Sequence, residues 1–188
     1  MVAAGICGTD IQIYNWAPRM ARRIQVPRGL GHEVSGIVDQ VGSGVTNIQP
    51  GDHVSLESHI FCGTCRTCRQ GKAHLCKYTT YPGIDIDGAF AEFLTVPSQI
   101  AWKNPKDLPH ETGAMLEPFG IAVHACLAGS GVSGKVVLVN GCGPIGLMAV
   151  AVARALGATR VIAADMNPLR LKVAETMGAD RIINADEE

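Results

Sequence analysis

Four cysteines stand close together in the first half of the chain, with the spacing Cys62-x2-Cys65-x2-Cys68-x7-Cys76. The chain has seven cysteines and no secretion signal, so we expect a reducing compartment, where such a cluster binds metal more often than it forms disulfides. Four thiolates at this spacing can surround one zinc ion in a closed, structural site. The alternatives are a disulfide pair or an iron–sulfur cluster.

A second chemical pattern is the glycine-rich stretch 141–146, which matches G-x-G-x-x-G through Gly141, Gly143 and Gly146. It follows an apolar run, opens a helical stretch, and is followed by Asp165 at the end of the next apolar run, a context typical of dinucleotide sites. The helix N-terminus suits a pyrophosphate, and the Asp165 carboxylate would bind ribose hydroxyls and repel a 2′-phosphate. NAD is therefore predicted rather than NADP, and the alternative is a turn that binds no nucleotide.

The candidates for a second, open metal site are scattered along the chain: Cys7, His32, Glu33, His59 and Glu117. A catalytic zinc has fewer protein ligands than a structural one and keeps one position free. Neighbouring side chains of a regular strand point to opposite faces, so His32 and Glu33 can reach one metal only from irregular backbone. Spacing alone selects none of the five, because packed histidines and cysteines are common.

The elements that must position these residues change character along the chain. Residues 1–106 contain short β runs between glycines and prolines, which predict an irregular, mostly antiparallel β domain that resembles a barrel. Its predicted strands include Val34–Val41, His53–Leu56 and Ala91–Val96. Residues 107–131 predict two connecting helices, the first capped by Asp107 and separated from the second by Pro118.

Residues 132–188 predict the order β-α-β-α-β, one half of a doubly wound nucleotide-binding fold. The first strand is an apolar run suited to burial on both faces. The predicted elements are strand Val136–Asn140, helix Ile145–Leu156, strand Arg160–Asp165, a helix from the cap Asn167 to Gly178, and strand Asp180–Asn184.

Composition excludes several classes of protein. The 188 residues carry a net charge of −1, which argues against a basic nucleic-acid-binding protein. We find no apolar stretch long enough for a membrane helix and no signal peptide, so the sequence predicts a cytoplasmic protein without a membrane or nucleic-acid partner. Glycine is abundant, 22 residues in all, which indicates many tight turns.

The sequence resembles the zinc-containing medium-chain alcohol dehydrogenase family over essentially its whole length. The motif Gly31-His32-Glu33-x2-Gly36-x5-Gly42-x2-Val45 is similar to the family's zinc signature, and the four-cysteine lobe, at about 57–80, has the family's spacing. Other matching segments are 5–10, 13–16, 51–54, 102–105 and 117–120. The resemblance implies a GroES-like catalytic domain over 1–106 and a partial Rossmann domain over 132–188.

The resemblance also implies a role for particular residues. Cys7 and His32, with Glu33 or Glu117, would hold a catalytic zinc, and the four-cysteine lobe a structural zinc. Thr9 would take the proton of the substrate, Asp10 would orient the zinc-bound histidine, and His59 would influence substrate choice. The implied NAD contacts are Gly141, Gly143, Pro144, Ile145, Gly146, Asp165 and Arg170. For Arg170, a position on the solvent-exposed face of a helix is an equally good interpretation.

The implied activity is transfer of a hydride from a secondary alcohol to NAD+. Within this resemblance, His59 and the segment 14–16 imply L-threonine as the substrate. A polyol or a vicinal diol is the first alternative, and a zinc-binding module without turnover is the second.

Two departures from the family are visible. Gln12 stands where many members have a histidine that passes the proton to solvent. Members are also roughly twice as long, so we interpret the chain as an internal part of a dehydrogenase, inactive or prone to aggregate when isolated. We expect a homo-oligomer, a tetramer, for the full-length form.

Overall fold

The computed structural model describes residues 1–187 and contains two compact units, Met1–Glu117 and Pro118–Glu188. The first unit is built on an antiparallel sheet and the second on a parallel sheet. The predicted class, a β domain followed by an α/β unit, is thus confirmed.

The sheet of the first unit has four strands in the order β1-β2-β3-β4, each antiparallel to its neighbour. The strands are β1 (Ala3–Gly5), β2 (Glu33–Ile37), β3 (His53–Leu56) and β4 (Ala101–Lys103). The helices are α1 (Gly8–Tyr14), α2 (Pro18–Ala21), α3 (Arg66–Arg69) and α4 (His110–Ala114), with short 3-10 turns at Ala73–Leu75 and Ser98–Ile100.

Two apolar clusters and a buried hydrogen bond between β3 and α4 stabilise this unit. One cluster lies on the sheet and contains Val34, Leu56, Ala89 and Ala101, and the other contains Ile13, Met20, Ile24 and Ile84. The Ser55 hydroxyl donates to the Gly113 carbonyl at 2.7 Å, which ties α4 to β3. A Cβ on Gly113 would lie 2.7 Å from the Ser35 hydroxyl, so this helix approaches the sheet only because Gly113 lacks a side chain.

The second unit has the strand order β5-β6-β7, with parallel pairing throughout. Its strands are β5 (Val136–Asn140), β6 (Arg160–Asp165) and β7 (Arg181–Asn184), and the helices are α5 (Leu116–Leu127), α6 (Pro144–Ala155) and α7 (Pro168–Thr176). The core is formed by buried side chains from these elements, among them Cys126, Val150, Val161 and Leu171. Asn167 caps α7 through its side chain, as predicted.

Four predictions for the first unit and its connection are corrected. The segment 91–96 forms no strand. Leu94 and Val96 pack on the sheet cluster while Phe93 is exposed, so the segment alternates between buried and exposed side chains without pairing to a neighbouring strand. The strand predicted to reach Val41 ends at Ile37. The first connecting helix is capped by Pro109 instead of Asp107, since the preceding residues form a turn.

The connecting helices are separated at Met115, and Pro118 lies in the first turn of α5, where the missing amide proton costs no intrahelical bond.

In the second unit, the prediction that β5 is buried on both faces is wrong. Val136 and Leu138 are 65% and 60% exposed, while Val137 and Val139 pack on the core. β5 lies at the edge of the three-stranded sheet, so one of its faces and one of its backbone edges are uncovered.

Among residues 1–187, no helix has the length and the apolar character required to span a membrane.

Candidate functional site

Three of the expected metal ligands meet where β1 ends beside the start of β2. The antiparallel register pairs Gly5 with Glu33, so Cys7, just after β1, lies near His32, just before β2. One ligand atom from each of Cys7, His32 and Glu33 lies within 4.8 Å of the other two. A single metal ion can therefore contact all three side chains.

Irregular backbone allows the neighbours His32 and Glu33 to face the same point. His32 lies before β2 begins and follows Gly31, whose φ of 94° is in the region that favours glycine. Gly5 leaves room for the carboxylate of Glu33, because a Cβ at this position would lie 2.4 Å from Glu33 Oε2.

The chemistry of these three donors suits zinc. Burial raises the pKa of the Cys7 thiol and of the Glu33 carboxyl. The buried Nδ1 of His32 has no hydrogen-bond partner within residues 1–187. A divalent cation would favour the ionised thiol and carboxyl, and three protein ligands leave a fourth position open.

Asp10 joins the two segments that carry the candidate ligands. Cys7 caps α1, with its sulfur accepting the Thr9 amide at 3.5 Å. Asp10 Oδ2 accepts the Cys7 amide at 2.8 Å, and Oδ1 accepts the Gly31 amide at 3.3 Å. Asp10 Oδ1 is 3.9 Å from Nδ1 of His32, so Asp10 holds the histidine segment through the Gly31 amide and not by a ring hydrogen bond.

Glu117 and His59 lie on one hydrogen-bonded group of residues. The Ser58 hydroxyl donates to Glu117 Oε1 at 2.5 Å, and His59 Nδ1 bonds to the Glu57 carboxylate. That bond, followed by the charges of Glu57 and Glu117, raises the pKa of His59 against the opposing effect of burial. Glu117 also interacts electrostatically with Glu33, although its carboxylate is not one of the three clustered ligand atoms.

Glu57 and Ser58 are functional candidates that sequence reasoning missed. Both lie within 57–63, the segment that carries part of the resemblance, so their position next to His59 was the available signal. The pairing of Ser58 with Glu117, 59 residues away, had none.

The four cysteines of the lobe form a second cluster. Their sulfur atoms all lie within 4.8 Å of one another, with 3.5 Å between Cys65 and Cys68, 3.6 Å between Cys62 and Cys76, and 3.9 Å between Cys65 and Cys76. A tetrahedral site with Zn–S bonds of about 2.3 Å requires sulfur–sulfur distances of about 3.8 Å. The sulfurs are too far apart for disulfides, in which they lie about 2.05 Å from each other.

Local donors prepare this cluster for a cation. The Thr67 hydroxyl and the Cys68 amide lower the pKa of Cys65 to about 5. The pKa of Cys68 rises to about 12, first through desolvation and then through its bonds to the Cys65 and Cys76 sulfurs. One thiol of the group thus ionises readily, while burial opposes ionisation of its neighbour, which would have to lose its proton when a metal binds.

The glycine-rich turn joins β5 to α6. Gly141 has a φ of 97°, and its amide donates to the Ala164 carbonyl of β6 at 2.8 Å. Gly143 caps α6 without a side chain, and the helix then begins with Pro144 and Ile145. The amides at this N-terminus form the surface that a phosphate would meet.

Gly146 is required by close packing. A Cβ at this position would lie 1.9 Å from the Gly141 carbonyl oxygen. The third glycine of the motif thus lets α6 approach the turn, in agreement with the reason for its prediction.

Asp165 lies at the end of β6, with both carboxylate oxygens engaged by backbone amides. Oδ2 accepts the Cys142 amide at 2.7 Å, and Oδ1 accepts the Asn167 amide at 2.8 Å. These bonds, that to Asn167 first, lower the pKa of Asp165. Arg170 Nη1 lies 3.9 Å from Oδ2, and the Arg170 side chain is 53% exposed. The carboxylate therefore stays ionised and fixed beside the turn.

Comparison with known proteins defines the class. The family model of the alcohol dehydrogenase GroES-like domain matches residues 1–110, and that of the zinc-binding dehydrogenases matches residues 144–188. The chain belongs to the zinc-binding alcohol dehydrogenase family, which confirms the predicted resemblance and implies zinc and NAD(H) as cofactors.

Among its relatives, the L-threonine 3-dehydrogenase of Bacillus velezensis is 50% identical over 99% of this chain, and that of Pyrococcus abyssi is 48% identical over all of it. The chain spans about half the length of these curated relatives, 54% of each.

Solved structures support the same fold. Galactitol-1-phosphate dehydrogenase from Escherichia coli matches with a TM-score of 0.89 and 37% identity, over 98% of this chain and 52% of its own. An alcohol dehydrogenase from Thermus sp. ATN1 matches with a TM-score of 0.89 and 38% identity, over 98% and 54%.

Proposed function

We propose that this chain carries the zinc sites and the phosphate-binding turn of a dehydrogenase that oxidises the secondary alcohol of L-threonine to 2-amino-3-oxobutanoate, with NAD+ as the acceptor. The observation that carries the proposal is the group of Cys7, His32 and Glu33, whose ligand atoms lie within 4.8 Å of one another. The likeness to L-threonine 3-dehydrogenases at about half identity supports the choice of substrate.

When bound, zinc supplies a Lewis acid for the substrate hydroxyl and NAD+ supplies the hydride acceptor. Cys7, His32 and Glu33 would hold the metal, and Glu117, whose charge acts on Glu33, would be the carboxylate that exchanges with it. Thr9, whose amide already bonds to the Cys7 sulfur, would relay the substrate's hydroxyl proton and pass its own hydroxyl proton on to water or to a ribose hydroxyl of the cofactor. Release of that proton to solvent and transfer of the carbinol hydride to NAD+ would give the ketone, NADH and one proton.

Asp10 and His59 serve the same reaction in different ways. Asp10 joins the two ligand segments through its bonds to the backbone of Cys7 and Gly31. His59 has Nδ1 bonded to Glu57, and its Nε2, which has no hydrogen bond within residues 1–187, would bind a polar group of the substrate. The lobe residues Cys62, Cys65, Cys68 and Cys76 hold the structural zinc.

In the second unit, Gly141, Gly143, Pro144, Ile145 and Gly146 form the pyrophosphate turn. Asp165 would bind the ribose hydroxyls and disfavour a 2′-phosphate, and Arg170 would lie along the adenosine. The domain bounds 1–106 and 132–188, and the connecting segment 107–131, stay predictions. The homotetrameric state and the cytoplasmic location also stay predictions.

A polyol phosphate is the second candidate substrate, because the solved galactitol-1-phosphate dehydrogenase shares the fold at 37% identity. An inactive zinc-binding module is the third candidate. The presence of two separate ligand clusters in the first unit favours an enzyme over a purely structural module.

The test is NAD+ reduction by the purified, zinc-loaded chain with L-threonine, galactitol 1-phosphate and a panel of polyols. Bound zinc is counted in the same preparation. We expect two zinc ions per chain, and any NADH that the chain forms should appear with L-threonine and not with the other substrates. Cys7→Ser should abolish NADH formation and remove one zinc, while Cys126→Ala, outside both clusters, should retain both ions. One zinc per chain and no NADH with any substrate would refute the proposed catalytic site.

A further inference from the structure

His59 is held on two sides by groups of the first unit. Its Nδ1 bonds to the Glu57 carboxylate and lies 3.4 Å from the Ser58 hydroxyl. The Tyr81 ring meets the imidazole edge-on, with ring centroids 4.9 Å apart and planes inclined by 64°. The hydrogen bond fixes which nitrogen faces Glu57, and the ring contact restricts rotation of the side chain.

Tyr81 is in turn held by Arg23 and Asp85. The Arg23 guanidinium lies over the Tyr81 ring, 5.0 Å from its centroid. Arg23 donates to both carboxylate oxygens of Asp85, at 3.0 Å and 2.6 Å, and Asp85 also accepts the Tyr81 amide at 2.9 Å. Because the guanidinium is committed to Asp85 in a two-bond pair, Arg23 is better suited to bracing Tyr81 than to binding a substrate carboxylate.

The segment that begins with Tyr81 also supports the candidate metal ligands. A Cβ on Gly83 would lie 2.8 Å from the Gly31 backbone, and one on Gly88 would lie 2.3 Å from the Gly31 carbonyl. The Tyr81 side chain packs against the cluster that includes Ile13 of α1, the helix capped by Cys7. The position of this segment is thus fixed by the same residues that carry His32 and Cys7.

We infer that Tyr81 is a positioning residue for substrate selection: held by the Arg23–Asp85 pair, it orients His59 so that Nε2 of the ring binds the carboxylate of an α-amino-acid alcohol. This inference rests on the proposed function. An imidazolium has the charge that a carboxylate requires, and a neutral polyol gains less from it. The groups that face His59 are Glu57, Ser58, Glu117 and Tyr81.

The test compares Tyr81→Leu, which keeps apolar volume without a ring, with Tyr81→Phe, which keeps the ring. Tyr78→Ala is the matched control, because Tyr78 is 60% exposed and its ring contacts Lys77. Each variant is assayed for kcat and KM with L-threonine and for zinc content. The His59 ring signal is also titrated by NMR.

For Tyr81→Leu we expect a KM for L-threonine raised roughly three- to tenfold, the loss worth one edge-to-face ring pair, with kcat little changed. The His59 titration should move to lower pH, since a freer ring bonds less to Glu57. Tyr81→Phe and Tyr78→Ala should match the unaltered chain in both measurements.

A folded Tyr81→Leu variant with two bound zinc ions and an unchanged KM and His59 titration would overturn the inference. If the unaltered chain does not oxidise L-threonine, the proposed function fails separately, and the NMR titration still decides whether Tyr81 positions His59. An unchanged His59 titration in Tyr81→Leu then overturns that role. A His59 titration that shifts in Tyr81→Leu and not in Tyr81→Phe supports it. Should Tyr81→Leu misfold, Arg23→Leu serves as the second variant. We expect its His59 titration to shift in the same direction by a smaller amount, and an unchanged titration would count against the inference.

Discussion

Replacing Gly146 by alanine should damage the second unit through one backbone contact. The added Cβ would lie 1.9 Å from the Gly141 carbonyl oxygen, whereas contacts of this kind below 3.0 Å are essentially never seen. The turn or α6 must therefore move by about 1 Å, as the difference between these two distances shows. The Gly141 amide is bonded to Ala164 at 2.8 Å, so the movement strains the link between the turn and β6. We expect a loss of roughly 1–3 kcal/mol in the free energy of unfolding, the usual cost of overpacking.

Gly143→Ala is the matched control for this substitution. Gly143 has a φ of −69°, and no atom lies within 4 Å of the position that an added Cβ would take, so alanine fits the fold. If the turn binds a pyrophosphate, Gly143→Ala should weaken NAD+ binding without lowering stability. Urea unfolding followed by circular dichroism and NAD+ binding by calorimetry measure the two effects. Equal stabilities of Gly146→Ala and the unaltered chain, or an equal loss in both variants, would refute the reasoning.

Three further predictions concern single side chains. The pKa of Asp165 is lowered in the folded state, so its contribution to stability is present above its unfolded pKa, about 3.9, and is lost as pH falls through the lower folded pKa. In urea unfolding from pH 7 to 2, the free energy of unfolding should therefore depend less on pH in Asp165→Asn than in the unaltered chain. An equal pH dependence in the two proteins would contradict this. Cys68→Ser should remove the lobe zinc alone, so elemental analysis should fall from two ions to one, and two retained ions would count against a four-cysteine site. Asp10→Ala should free the Cys7 and Gly31 amides and weaken zinc binding at the catalytic cluster about 10- to 100-fold, as for other outer partners of metal ligands; unchanged affinity in a zinc titration would show that this carboxylate does not hold the two segments.

The parallel half was predictable because its signals are local. Asn167, Pro168 and Gly178 mark the two ends of α7 within a few residues, and the structure follows them. Caps and glycine positions act through backbone bonds to near neighbours, so a sequence reveals them directly.

The β domain was less predictable because long-range packing decides its strands. The alternation in 91–96 is that of a strand, yet Leu94 and Val96 only pack on residues of other elements. The candidate site shows the same limit. The four-cysteine spacing lies within one lobe, whereas the pairing of Gly5 with Glu33 sets the meeting of Cys7 and His32. No local pattern encodes that pairing.

The bridge that Asp10 makes between Cys7 and Gly31 has a consequence for how the protein acquires its metals. The lobe cysteines close a short loop within one segment, so they can collect an ion from a chain that is still unfolded. The catalytic ligands come together only after β1 and β2 have paired. Zinc should therefore enter the lobe early and the catalytic cluster late during refolding. Stopped-flow uptake would then show a fast phase that is lost in Cys68→Ser and a slow phase that is lost in Cys7→Ser, and the reverse assignment would exclude this order of assembly.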